Sequence, residues 1–128
     1  MSFTNNLETE LLDHVFAGNA FSSPSTLYVS LHTSNPGETG STTNEVSGGA
    51  YARQTATFTV SGNTATTSAA IEFPTATASY GTVTHIGVHS ASTGTSGFLA
   101  YAALTDSKTI ATGDVFRIPA GDIDITLD

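Results

Sequence analysis

The chain is built of short runs of alternating aliphatic and threonine-rich residues, cut at intervals by clusters of Gly, Asn, Asp and Ser. A period of two broken every ten residues or so cannot sustain long helices, and it is the spacing of strands in a sandwich or barrel. Leu27, Val29 and Leu31 alternate with Tyr28, Ser30 and His32 behind Pro24, which predicts a half-buried strand. Tyr51 to Val60 and Thr64 to Phe73 flank Ser61-Gly62-Asn63, where Gly and Asn can supply the positive φ of a tight hairpin turn. Further strands are expected at Thr82 to His89, Phe98 to Leu104, Val115 to Ile118 and Ile123 to Leu127, for seven in all.

One segment breaks this rule. Leu7, Leu11, Leu12, Val15 and Phe16 recur at helical spacing, behind the cap-forming Thr4-Asn5-Asn6 and before Gly18, which predicts a helix over about 5–17. Between Ser34 and Gly49 stand Asn35-Pro36-Gly37, Gly40 and Gly48-Gly49 with almost nothing apolar, which predicts a long exposed loop over about 34–49. The reading is an all-β antiparallel β-sandwich, jelly-roll-like or Ig-like, with a short N-terminal α-helix, in a single domain spanning 1–128.

Charge narrows the function. Three basic residues stand against eleven acidic ones, a net charge of -8, so the chain lacks the cationic footprint that nucleic acid or anionic lipid requires. No apolar stretch approaches the roughly 18 residues of a membrane span, the N-terminus has no positive n-region, and a soluble protein without an export signal is expected. With no cysteine there is no disulfide framework, thiolate nucleophile or cysteine-based zinc site.

Motifs for catalysis are lacking. There is no Gly-x-Ser-x-Gly elbow, and the only lysine, Lys108, follows Ser107 rather than the glycine of a phosphate-binding loop, so no cofactor is expected. His85 and His89, four apart on a strand with His32 beside them, are the sharpest candidates for metal ligands, against the plainer reading of surface polar positions. Asp122 and Asp124 share a strand face without the further oxygens calcium needs. Arg53 and Arg117 are nearly alone as cations and each is expected to pair with a carboxylate, inside the chain before across an interface. Tyr28, Tyr51, Tyr80, Phe98 and Tyr101 are read as core residues first and as a sugar-stacking surface second. Glu38 and Glu45, the acidic pair a hydrolase would need, lie in the loop, a poor platform for holding catalytic geometry.

The run Leu27-Tyr28-Val29-Ser30-Leu31-His32-Thr33-Ser34-Asn35-Pro36-Gly37, followed by Glu45-Val46-Ser47-Gly48-Gly49-Ala50-Tyr51-Ala52-Arg53-Gln54, Ile71-Glu72-Phe73-Pro74-Thr75-Ala76, Thr82-Val83-Thr84-His85-Ile86-Gly87 and Ile118-Pro119-Ala120-Gly121-Asp122-Ile123-Asp124, covers nearly the entire chain. In this order it resembles small tailed-bacteriophage virion proteins labelled tail fibre or minor tail protein. The resemblance implies a non-enzymatic virion component, assembled in the bacterial host cytoplasm, whose partners are other capsid or tail proteins and copies of itself in a homo-oligomer. A capsid decoration or head-fibre protein is the alternative, and an adhesin binding a host-surface glycan the next. Leu7, Leu11, Asn35, Glu45, Tyr51 and Arg53 are the interface candidates.

Overall fold

The computed structural model describes residues 1–128. Ten strands and one helix follow in the order β1 (Ser2–Phe3), α1 (Asn5–Phe16), β2 (Leu27–His32), β3 (Gln54–Ala56), β4 (Phe58–Ser61), β5 (Thr64–Thr67), β6 (Ile71–Glu72), β7 (Gly81–His89), β8 (Phe98–Ile110), β9 (Arg117–Ile118) and β10 (Asp124–Thr126). They form an antiparallel five-stranded sheet ordered β1-β8-β7-β2-β3, a three-stranded sheet β10-β5-β4 and a two-stranded sheet β6-β9. All-β architecture with sandwich-like sheets and one short helix is therefore what the alternation of the sequence produces.

The seven expected strands become ten because two of them divide and a further two-residue strand, β1, forms ahead of the helix. The run Tyr51 to Val60 does not stay in one sheet: β3 pairs with β2, then the chain turns at Thr57 and β4 pairs with β5 in the small sheet. The run Thr64 to Phe73 divides in the same way into β5 and β6. Such corners let strands switch sheets, and a threonine-rich run, without a continuous apolar stripe, does not announce them. The hairpin at Gly62-Asn63 forms as expected, with φ of 60° at Gly62, a left-handed value that glycine adopts without penalty. Strand β8 runs six residues beyond its expected end at Leu104 and reaches Ile110 through Thr105-Asp106-Ser107-Lys108, with its register to β7 shifting between Val83 and His85.

The core lies between the sheets. Val29, Leu31, Ile71, Phe73, Val83, Ile86, Ile110, Ile118 and Ile123 are all nearly or fully buried and belong to one cluster. Each such side chain contributes about 1.5–3 kcal/mol on leaving water. Tyr51 stacks on Phe73 with centroids 6.1 Å apart, and Tyr80 meets Tyr51 edge-on at 5.8 Å.

Strand β2 departs from its expected half-buried character, since Val29 through His32 are all buried. Its second face is covered by Phe98, which lies against His32, and beyond β3 its edge is paired by the Ser34–Gly49 loop. Pro36, Gly40 and Val46 of that loop are buried. Val46 donates its N–H to the Leu31 carbonyl, and Glu45 bridges to His32. The loop is thus partly a core element, and its single branched aliphatic residue, Val46, is what draws it inward.

Candidate functional site

Helix α1 is the most unusual surface of the molecule. Thr4 caps it, accepting from the Leu7 N–H while its own hydroxyl donates to the Phe98 carbonyl and its N–H to the Leu99 carbonyl at 2.9 Å, and Gly18 ends it with φ of 74°. The Asn5 N–H donates to the Glu38 carbonyl, so the start of the helix is fixed to the long loop. Yet no residue of α1 is buried. Leu7 and Leu11 are half-buried, and Leu12, Val15 and Phe16 project into solvent.

Three of the interface candidates come together in one cluster. Arg53 grips Glu45 bidentately, Nε to Oε1 and Nη2 to Oε2, both at 2.7 Å. Its Nη1 donates to the Ala91 carbonyl at 3.0 Å and its Nη2 to the Gly94 carbonyl at 2.7 Å. The Tyr51 hydroxyl donates to Glu45 Oε1 at 2.8 Å and accepts from the Leu31 N–H at 3.1 Å. One guanidinium thereby joins the Ser34–Gly49 loop, the approach to β3 and the loop between β7 and β8. Burial pushes the Glu45 carboxyl up, but hydrogen bonds from Arg53 and Tyr51 outweigh it and hold the group below its ordinary value. Burial raises the Tyr51 phenol, which stays protonated. Asn35, the sixth candidate, is exposed and its Oδ1 accepts from the Gly37 N–H at 2.9 Å, closing an Asx turn.

The histidines converge differently from the sequence expectation. His32 and His89 are fully buried, and each places Nε2 2.8 Å from the Ser30 hydroxyl. The hydroxyl carries one proton and two lone pairs, so at least one of the two rings donates its Nε2–H to it. Phe98 closes the cluster, its ring 4.0 Å from that of His89 and 5.6 Å from that of His32. Burial brings His89 down to about 3 and His32 to about 4. His85 lies opposite His32 in register, but its Nδ1 bonds the Thr84 hydroxyl at 2.8 Å, and a register shift separates it from His89. No group of three or more His, Cys, Asp or Glu side chains converges to hold a metal ion. No partner reaches Nδ1 of either ring, so the pair is a buried polar cluster that is satisfied at Nε2 alone.

Several other readings resolve in the same way. Tyr80 is buried and its hydroxyl donates to the Pro74 carbonyl, Tyr51 points inward, and Phe98 is buried, so these rings offer no sugar-stacking surface. Glu45 is committed to Arg53, while Glu38 lines a separate depression beside Glu8. Glu45–Arg53 is the single ion pair, which leaves Arg117 and Lys108 without one. Asp124 accepts from the Thr66 hydroxyl at 2.6 Å across β10 and β5.

Sequence reasoning missed a groove of about 380 Å³ at the open side of the sandwich, lined by β8, β9 and β10. It exists because β1 pairs with β8 only at Tyr101 and Ala100, which leaves the rest of that strand edge uncovered. The signal was the length of β8, hidden by its polar second half.

No curated protein matches the sequence. The model of the family described as Podophage GP4 fiber I protein gp80 matches residues 2–126, from the first residue of β1 to the last of β10, and the chain belongs to that family of phage fibre proteins.

Proposed function

We propose that this chain is a non-enzymatic building unit of the tail-fibre or tail-associated apparatus, acting through protein–protein contacts as a single-domain module in a homo-oligomer. Membership of the phage fibre family makes it a structural protein of a podophage virion, associated with other virion components. The observation that carries the reading is that the family match takes in every strand and the helix, including the solvent-facing α1 that does nothing for the core. Leu7 and Leu11 on that helix, and Asn35 on the exposed part of the loop, are the contact residues. Glu45, Tyr51 and Arg53 hold the loops that carry the contact surface. Assembly takes place in the host cytoplasm.

Copy number per particle tests this, by quantitative mass spectrometry of purified virions against the major capsid protein. A few to a few tens of copies are expected. Hundreds would assign the chain to capsid decoration instead, and absence from the particle would overturn the virion reading.

A further inference from the structure

The five-stranded sheet has buried residues on both faces, and only one face belongs to the main core. Val29, Leu31 and Ile86 are part of the cluster that fills the sandwich. Ser30 and His32 alternate with them along β2 and so stand on the opposite face. His89 and Phe98 join them there. Phe98 and the adjacent Leu99 are buried yet lie outside the main cluster, so this is a satellite that can open without the core.

The satellite encloses two groups that take up protons. His32 and His89 are fully buried, each meets the Ser30 hydroxyl through Nε2, and no partner reaches Nδ1 of either. An imidazolium has two N–H groups and needs two acceptors, and here each ring has one polar neighbour. The charged and titratable groups facing the pair are Glu45 and Arg53 from the side of the long loop, His85 from β7, and each ring itself toward the other. Glu45 is committed to Arg53 through two hydrogen bonds, so no free carboxylate remains to balance an imidazolium. A proton on either ring is therefore strongly disfavoured while the satellite is closed and ordinary once water enters. Burial accordingly holds His32 at about 4 and His89 at about 3.

The residue that closes the satellite also holds the helix. The Phe98 ring is clamped between Gly87 of β7 and Gly40 of the long loop: a Cβ at Gly87 would lie 2.7 Å from Phe98 Cζ, and one at Gly40 3.1 Å from Phe98 Cβ. The Phe98 carbonyl accepts from the Thr4 hydroxyl, and the Leu99 carbonyl from the Thr4 N–H. The Asn5 N–H bonds the Glu38 carbonyl, close to Gly40 in the same loop. No residue of α1 is buried, so beyond half-buried Leu7 and Leu11 these bonds are its hold on the sheet. We infer that His32 and His89 form an acid-sensitive latch: when the pair takes up protons, Phe98 leaves its place over the two rings and frees the start of α1 and the loop around Gly40, while the main core stays folded. The latch is independent of the fibre reading, which stands without it.

Amide hydrogen exchange of the full chain tests this, followed residue by residue by NMR between pH 6 and pH 4.5 and corrected for the intrinsic pH dependence of exchange. The Thr4 and Asn5 amides report the latch. Those of Phe73 and Tyr80, bonded to the Phe116 and Ile110 carbonyls, report the core. In this window the open state binds protons that the closed state does not, so opening becomes easier as pH falls. Thr4 and Asn5 are expected to exchange through a smaller opening than Phe73 and Tyr80, with protection falling about tenfold per pH unit for each histidine the opening uncovers. In the double variant His32→Gln with His89→Gln, whose amides can still bond Ser30 but do not titrate, that fall should be lost. Exchange of all four amides through one common opening overturns the latch, and so does Thr4 and Asn5 protection that is flat with pH. Both of these outcomes are read on the wild type alone, whether or not the double variant folds. A folded double variant that keeps the pH dependence overturns it as well.

Discussion

Replacing Arg53 by alanine removes the hub of three loops, and its cost can be worked from the contacts. The guanidinium makes four hydrogen bonds, two to Glu45 and one each to the Ala91 and Gly94 carbonyls. The two carbonyls sit in a largely exposed loop and can turn to water, so they add little. The Glu45 side chain is only 14% exposed, and leaving such a carboxylate without its cation costs about 3–5 kcal/mol. Tyr51 still donates to it, which favours the lower end, about 3 kcal/mol. In urea denaturation the midpoint should fall accordingly with m unchanged, and Tm by on the order of 10 °C. Glu45→Gln combined with Arg53→Ala should cost clearly less than the sum of the single changes, because the second removes the charge that the first strands. A loss below about 1 kcal/mol for Arg53→Ala would refute the reasoning, since that is the range of an exposed pair that orders nothing.

Stability should fall as pH drops from 6.5 toward 4. His32 and His89 hold depressed folded values of about 4 and about 3, so in that window the unfolded chain binds more protons than the folded one. The slope is at most about 1.4 kcal/mol per pH unit for each histidine; urea midpoints at pH 7, 6 and 5 measure it, and a flat profile would sink the assignment of both rings as buried and neutral. Gly87→Ala should destabilise by about 1–3 kcal/mol through overpacking. Its Cβ would lie 2.7 Å from both Phe98 Cζ and the Ser30 hydroxyl, and thermal melts of the purified variant check this.

The parts of the fold that were legible in the sequence are those where periodicity and turn chemistry act locally. The Leu27–His32 alternation, the Gly62 turn and the Thr4-capped helix each form where expected, because each needs only its neighbours in sequence. What was not legible depends on distant packing. Nothing near Thr57 says that the strand changes sheets, and nothing in Thr105-Asp106-Ser107-Lys108 says that β8 continues, since its partner is β7. Likewise Ser30 looks like a surface residue until Phe98, from far along the chain, covers it. Of the interface candidates, Glu45, Tyr51 and Arg53 were chosen separately and the fold brings them into one cluster. The groove was invisible because it is made by a strand edge that nothing covers, which is a fact about topology rather than about any residue.

The bond from the Thr4 N–H to the Leu99 carbonyl spans 95 positions of the chain. At a synthesis rate of about 5–20 residues per second, the ribosome makes the residue that anchors the helix roughly 5–20 seconds after the helix itself. Until then α1 is a short, unanchored segment that is seldom helical, and Leu12, Val15 and Phe16 are not aligned on one face. The order of translation thus acts as a timer: the outward apolar face of α1 is set only after the strand that fixes the helix has been made.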